Sequence, residues 1–515
     1  MYRLTSSIFR QGQTLARRLG IVLVWLAVAP LAGTAQSGPL AEFDEYVRQA
    51  VDDWGATGLA VAVVKDGELL FAEGYGVREL EVQGPVDPQT LFSIGSTTKA
   101  MTAASLGMLV DEGLVSWDDP VVDHLPGFRL SDPFLTREVT IRDLLTHRAG
   151  MGNADFLWYE QDVTASEVLE RFRMAKPAYS LRSSFIYQNV MYAAAGAVVE
   201  AVSGKPWRRF IEDRIFEPLS MSRTVSTLEA TAGVPNVATP HYRVEGEVMV
   251  IENASVDPVD AAGSVWSSVE DMSKWLRMLL NEGVADDGTR LLSEETVEEM
   301  FRPQTLVPRS QFYPTAQLTE PEWTTYGLAW FQHDYEGRKI DFHTGSIDGM
   351  VAIAGLIRDE ELGVYVLGNL DHVEVRHALM YRVFDLFGHG QPRDWSADLK
   401  ELYDGLAEQG ETARMERRAS RVEGTEASHR PETYAGTYSD PLFGTVQVSE
   451  SGGELHLEYG PGLRGPMSHW HYDTFEVDWE AAWRGTGLAR FETGSDGQVQ
   501  AVVLGSSRFA RVPEA

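Results

Sequence analysis

Strand-forming segments sit at both ends of residues 38–391 and helical segments fill the middle. No other feature constrains the fold as much. Apolar residues at helical spacing (Phe43, Tyr46, Val47, Ala50, Val51, Trp54) predict a helix over 41–54. Gly58–Val64 and Glu68–Gly74 read as strands joined by a hairpin turn at Lys65-Asp66-Gly67. A long apolar helix is expected from near Ser96 to Gly113. From about 115 to 300 the chain is mostly helical patches between Pro and Gly loops. Strands return at Tyr326–Asp334, Lys339–His343, Gly349–Ile357 and Gly363–Asn369. Strands from both ends with helices inserted between them describe one α/β domain closed by its own ends. Residues 392–430 are charged, carry no sustained core pattern and read as a linker with some helix. Residues 431–515 turn β-rich, with expected strands at 434–438, 445–448, 455–459, 474–477, 488–492 and 499–504. Their regular spacing predicts a small all-β barrel or sandwich.

Residues 1–35 read as an export signal. Arg3, Arg10, Arg17 and Arg18 precede the first acid, Glu42, and an apolar run from Leu19 to Ala32 ends at the small residues Gly33-Thr34-Ala35. The run is short for a membrane span, so contact with a membrane is expected only if this segment stays uncleaved. The mature protein is expected in the periplasm or outside the cell. The chain has no cysteine, which excludes disulfides, thiolate metal sites and a cysteine nucleophile. Without the four leader arginines, 40 basic residues face 76 acidic ones, a balance that disfavours nucleic acid as a partner. Only seven of the basic residues are lysine. A dense acidic surface poor in lysine suits life in salt, and an acidic secreted enzyme reads equally well. In the first case the melting temperature climbs as NaCl rises into the molar range. A flat response selects the second.

Three short patterns carry the chemistry: Ser96-Thr97-Thr98-Lys99, Tyr187-Gln188-Asn189 and His343-Thr344-Gly345. Ser96 follows Gly95 at the start of the apolar helix, and Lys99, three residues on, shares its helical face. The positive end of the helix favours an alkoxide and disfavours an ammonium, so Lys99 can act as a neutral base. Tyr187 is a second proton carrier, although a phenol with a pKa of ~10 needs positive charge nearby to serve as a base. On an extended segment Asn189 points the same way as Tyr187, and its amide can hold a substrate carbonyl. Gly345 lets a substrate backbone come close, and the N–H of Ser346 with that of Ser96 would form an oxyanion hole. Each pattern also has a plain structural reading: a capping Ser with a solvated Lys, a buried Tyr beside a capping Asn, and a strand end with a turn. Three in this order are hard to reach by accident.

With these residues the chain resembles the serine β-lactamase and penicillin-binding-protein superfamily, and within it the class C β-lactamase-related serine hydrolases. Ser-x-x-Lys, Tyr-x-Asn and a Lys- or His-containing triad ending in Gly are that group's three motifs. Residues Asp143–Gly150, Ala262–Ser268 and Tyr326–Trp330 match as well, and His469–Phe475 is similar to the lipocalin-like C-terminal domain some members carry. The resemblance implies an antiparallel sheet flanked by helices, a helical subdomain, and the active site between them. It makes Ser96 the nucleophile, with Lys99 and Tyr187 sharing the proton work. It places Asn189, His343, Thr344 and Gly345 at the substrate and Ser346 in the oxyanion hole.

The departure is His343, where β-lactamases of this class have Lys. A histidine near its reference pKa of ~6.5 is mostly uncharged at neutral pH, so the fixed cation for a substrate carboxylate is lost. An ester- or amide-cleaving enzyme, with D-residue peptides among its substrates, is therefore expected ahead of a β-lactamase or D-alanyl-D-alanine carboxypeptidase. The competing class is a non-catalytic binder of cell-wall fragments. It has no need of the proton carriers Lys99 and Tyr187. His469 and His471 would share one face of a strand with no third ligand, so no metal and no cofactor is expected. Trp470, Trp479 and Trp483 read as barrel core. The partner is a small-molecule or peptide substrate, and the oligomeric state is left open.

Overall fold

The computed structural model describes residues 39–82, 84–388 and 393–513. The export-signal expectation for 1–35 lies outside them. Among the described residues no helix is long and apolar enough to cross a membrane.

One antiparallel sheet of eight strands organises the first domain: β1 (Gly58–Lys65), β2 (Glu68–Gly76), β3 (Thr305–Leu306), β4 (Thr324–Tyr326), β5 (Phe331–Tyr335), β6 (Arg338–Ile347), β7 (Met350–Ile357) and β8 (Leu362–Gly368). Their order is β2-β1-β8-β7-β6-β5-β4-β3, so the N-terminal hairpin adds to the edge of the C-terminal strands. Strand β1 shows why. Its apolar run has no polar face, and the two-residue alternation sends Leu59, Val61 and Val63 to one core and Ala60, Ala62 and Val64 to another. A fully buried Val or Leu of this kind contributes about 1.5–3 kcal/mol. The first core is closed by helices α1 (Phe43–Trp54) and α5 (Val375–Leu386). The second is closed by α4 (Val269–Leu280) and by the inserted helical region, including α2 (Thr98–Asp111) and α3 (Asn189–Ser203). Helix α2 is buried along its whole length from Thr98 to Leu109, as a helix without a polar face must be.

Helix α6 (Trp395–Ala419) fills most of the segment read as a linker. Its first turn belongs to the core: Trp395 stacks on Tyr381 with ring centroids 4.7 Å apart, and its indole N–H donates to Asp385. After Leu399 the helix projects with most side chains exposed. The C-terminal domain is a closed eight-stranded barrel in sequential antiparallel order. Tyr438, Val446, Val448, Leu457, Val502 and Phe509 are fully buried and pack its core, which a barrel of this size can fill with side chains alone. Two of its strands, Arg464–His471 and Ser507–Arg511, go beyond the sequence expectation. The first contains Gly465 and Pro466, which hide its strand character.

The pairing of Arg464–His471 shifts register between His469 and His471, so the strict alternation expected for the two histidines is broken there. His469 bonds the Tyr472 carbonyl, and His471 accepts from the Val422 N–H. The tryptophan expectation needs correcting. Trp470 is buried under Arg421 of the linker, and Trp483 packs at 5.2 Å against Tyr242 of the first domain, so both serve contacts between segments.

Candidate active site

The three patterns converge at the junction of the sheet and the helical region. Gly95–Thr97 forms a 3₁₀ turn that leads directly into α2, which places Ser96 at the positive end of the helix. Lys99 is completely buried. Its Nζ lies 2.9 Å from Ser96 Oγ, 2.8 Å from Asn189 Oδ1 and 2.9 Å from the Ala262 carbonyl. Burial pushes the Lys99 ammonium down to about 7, against an opposing pull from Asp155.

Tyr187 reaches the site through a scaffold anchored on Asp143. That carboxylate is fully buried. Burial raises its pKa, but hydrogen bonds from Arg182 (2.7 Å) and Arg148 (2.6 Å) outweigh this and hold it below the usual carboxylate range. Backbone bonds then run from Arg182 to Arg148 and from Ile186 to His147, and the Gln188 N–H donates to His147 Nδ1 at 3.1 Å. The chain from 182 to 188 is thereby laid along 147–150. Gln188, next to Tyr187, is extended, and Asn189 opens α3. The His147 ring packs 4.4 Å from the Tyr187 ring. Tyr187 is hydrogen-bonded to Ser96, yet burial pushes its phenol well above 10. The expectation of a base aided by positive charge therefore changes: the resting group is a phenol, and the group beside Ser96 whose proton is loosened is the Lys99 ammonium.

On the sheet side, β6 carries the third pattern. A Cβ placed on Gly345 would lie 1.9 Å from the Ile94 carbonyl oxygen and 3.1 Å from Ser96 N. Gly345 therefore makes room for the Gly95–Thr97 turn itself, and this corrects the expectation that it admits a substrate backbone. Gly95, at φ +50°, faces it: a Cβ there would meet Ser346 N at 2.8 Å. These two glycines bring the backbones of Ser96 and Ser346 together. Behind β6, buried Arg376 donates to the Gly345 carbonyl and to Ser346 Oγ (2.9 Å), while Glu374 pairs with its guanidinium at 3.0 Å.

His343 is also corrected as a substrate contact. It is buried, its Nδ1 lies 2.6 Å from the Thr344 carbonyl, and its Nε2 lies 3.0 Å from the Tyr326 hydroxyl. Burial pushes its pKa down to about 3, helped by the charge of Lys99, so the ring is neutral and structural. Thr344 instead meets the pocket, hydrogen-bonded to Tyr313 at 2.5 Å.

Ser96, Tyr187, Asn189, Thr344 and Ser346 line a cavity of about 410 Å³ whose other walls include Phe185, Phe312, Tyr313 and Phe331. A larger cavity of about 870 Å³ between α1, α6 and residues 370–374 contains none of the pattern residues. The sequence reading missed Asp155, His147 and Arg376. His147 stood inside a matching segment, but Asp155 and Arg376 belong to no pattern, and only the fold brings them to the site.

The family model described as Beta-lactamase matches residues 43–386. The chain belongs to the beta-lactamase family. A second model, "Domain of unknown function (DUF3471)", matches residues 420–511, which include the barrel. The chain is similar to the unguisins hydrolase ungD of Aspergillus violaceofuscus, 31% identical over 351 residues, 64% of this chain and 61% of that protein. It thus spans less than two thirds of that relative. The unguisins hydrolase ungD' of Aspergillus campestris is 30% identical over 432 residues, 79% of this chain and 77% of that protein. Among solved structures, the octameric penicillin-binding protein homologue from Pyrococcus abyssi aligns with a TM-score of 0.59 at 23% identity, covering 92% of this chain and all of that one. The antiparallel sheet flanked by helices, followed by a closed β-barrel, is the architecture the resemblance implied.

Proposed function

We propose that this protein is an exported serine hydrolase, periplasmic or secreted, that cleaves ester or amide substrates through an acyl-enzyme on Ser96. The observation that supports this most is the 2.9 Å contact between Ser96 Oγ and a buried Lys99 whose ammonium is depressed to about 7. Two N–H groups of a neutral Lys99 serve Asn189 and Ala262, which leaves its lone pair for the Ser96 proton. Ser96 Oγ then attacks the carbonyl carbon, and the oxyanion is met by the N–H groups of Ser96 and Ser346. The Tyr187 hydroxyl gives its proton to the leaving group. In deacylation the Tyr187 phenolate takes a proton from water, hydroxide attacks the acyl carbon, and Lys99 returns its proton to the departing Ser96 oxygen. Atoms and charges balance, and no metal or cofactor is needed.

The cavity favours a bulky apolar group beside the scissile carbonyl, because Phe185, Phe312, Tyr313 and Phe331 form its walls. No Lys or Arg is among the residues lining it, so neutral esters and amides fit better than carboxylate-bearing β-lactams or D-alanyl-D-alanine peptides. The test is a fluorophosphonate probe followed by intact-mass and peptide analysis. One adduct on Ser96 is expected, with turnover of apolar aryl esters exceeding that of β-lactams. No adduct and no turnover on esters, amides or β-lactams would sink the proposal and leave a binding protein.

A further inference from the structure

The Asn189 amide is held from both ends, and the end away from Lys99 meets a residue outside the three patterns. Asn189 Nδ2 lies 3.1 Å from each carboxylate oxygen of Asp155, while Asn189 Oδ1 faces Lys99. An ionised carboxylate only accepts hydrogen bonds, so it takes the NH₂ end and turns the carbonyl end toward Lys99. Lys99 must then direct one N–H at Asn189 and a second at Ala262, and its lone pair is left facing Ser96. A reversed amide would offer donors to Lys99 and draw the lone pair away from the nucleophile.

The carboxylate is itself fixed. Trp158 Nε1 donates to Asp155 at 2.9 Å and Asn153 Nδ2 at 3.0 Å. Asp155 opens a 3₁₀ turn (Asp155–Leu157) whose next residue, Phe156, is seated on the barrel. Phe156 stacks on Tyr459 with centroids 4.3 Å apart, lies edge-on to Phe443 at 5.8 Å, and its carbonyl accepts from the Tyr459 hydroxyl at 2.6 Å. Further along, barrel residue Arg484 donates to Tyr159 at 3.0 Å and pairs with Glu160. The barrel therefore grips the turn immediately after Asp155 and again three residues later.

We infer that Asp155 is a positioning residue for the reaction: it orients the Asn189 amide so that Lys99 aims its lone pair at Ser96, and the barrel holds it in place through Tyr459. The inference rests on the serine-hydrolase reading above. It makes the C-terminal domain part of the catalytic apparatus although no barrel residue lines the cavity.

The groups facing Lys99 are Tyr187, Tyr192, His147, His343 and Asp155. Burial keeps both phenols protonated and both imidazoles neutral. Asp155 thus supplies the negative charge that stabilises the Lys99 ammonium. If Lys99 is the base, kcat/KM rises with pH through about 7. Removing a negative neighbour lowers the pKa of an ammonium, so the rise should move to lower pH.

In the full-length protein, Asp155→Asn should lower kcat/KM for an apolar p-nitrophenyl ester at least tenfold, slow fluorophosphonate labelling of Ser96 in parallel, and move the acid limb down. Asp155→Glu should return the limb to its place with part of the rate. Tyr459→Phe keeps the stack, loses the hydroxyl's bonds to Phe156 and to Phe443 within the barrel, and should lose rate several-fold at temperatures where its melting curve shows it fully folded. A folded Asp155→Asn variant with normal rate, or with reduced rate and an unmoved limb, overturns the positioning role. Should that variant fail to fold, Asp155→Glu decides: full rate from a displaced carboxylate overturns the role, and reduced rate with the limb in place upholds it. Full rate in Tyr459→Phe overturns the barrel's part. Absence of labelling in the unmodified protein defeats the parent reading, whereas normal labelling with an indifferent Asp155 defeats this inference alone.

Discussion

Ser96→Ala should abolish ester turnover, Lys99→Met should lower kcat/KM by on the order of 10³-fold or more, and the double variant should be no worse than Ser96→Ala. In the proposed mechanism the two side chains, 2.9 Å apart, form one proton-transfer unit, so removing either removes what the other does. Lys99→Arg separates two roles for the amine. Arginine keeps the positive charge but cannot give up its proton near neutrality. If Lys99 acts as the base, Lys99→Arg should be as inactive as Lys99→Met. If it acts only as a cation beside the oxyanion, Lys99→Arg should keep much of the rate. Single-turnover kinetics on an apolar aryl ester, with melting temperature as the control for folding, distinguish the outcomes. Retained activity in Lys99→Arg would remove the mechanistic weight placed on the depressed ammonium.

The parts of this site that could be read from the sequence are those where chemistry and chain proximity coincide. Ser96 and Lys99 lie three apart on a helical path, and Tyr187 and Asn189 flank a single residue, so local geometry already places each pair. The sheet was readable for a similar reason: β1, β7 and β8 are short apolar runs bounded by turn residues, and their separation in the chain implied closure by the two ends. The failures share a different cause. His343 was assigned to the pocket from its neighbours in the pattern, but burial between Tyr326 and the Thr344 carbonyl removed it from the surface. Its neutral state was anticipated, yet the apolar character of the cavity comes from Phe185, Phe312, Tyr313 and Phe331, which no pattern flagged. Asp155 reaches Asn189 across 34 residues, and Arg376 reaches Ser346 across 30. Contacts of that separation depend on the whole fold. Helix α6 shows the limit at a domain edge: only its first turn is buried, so its apolar pattern ends before any periodicity can be recognised.

Gly345→Ala should nearly silence the proposed hydrolase activity while leaving most of the chain folded. The added methyl would sit 1.9 Å from the Ile94 oxygen and 2.8 Å from its carbon, and both are backbone atoms that cannot rotate aside. Either β6 or the Gly95–Thr97 turn must move. Such overpacking costs about 1–3 kcal/mol of stability. The larger effect is on catalysis, because the turn carries Ser96 and the strand carries Ser346. Separating their N–H groups removes aligned donors from the developing oxyanion, and one lost donor of this kind costs roughly 10²–10³ in kcat. The loss should therefore fall on kcat, with KM for a neutral ester changed far less. Gly405→Ala is the matched control: it lies within α6 with nothing within 4 Å of the new methyl, and should stabilise by about 0.5–1 kcal/mol without touching activity. If Gly345→Ala instead keeps full kcat, the close approach of β6 to the nucleophile turn is not what builds the oxyanion site, and Ser346 loses its place in the mechanism.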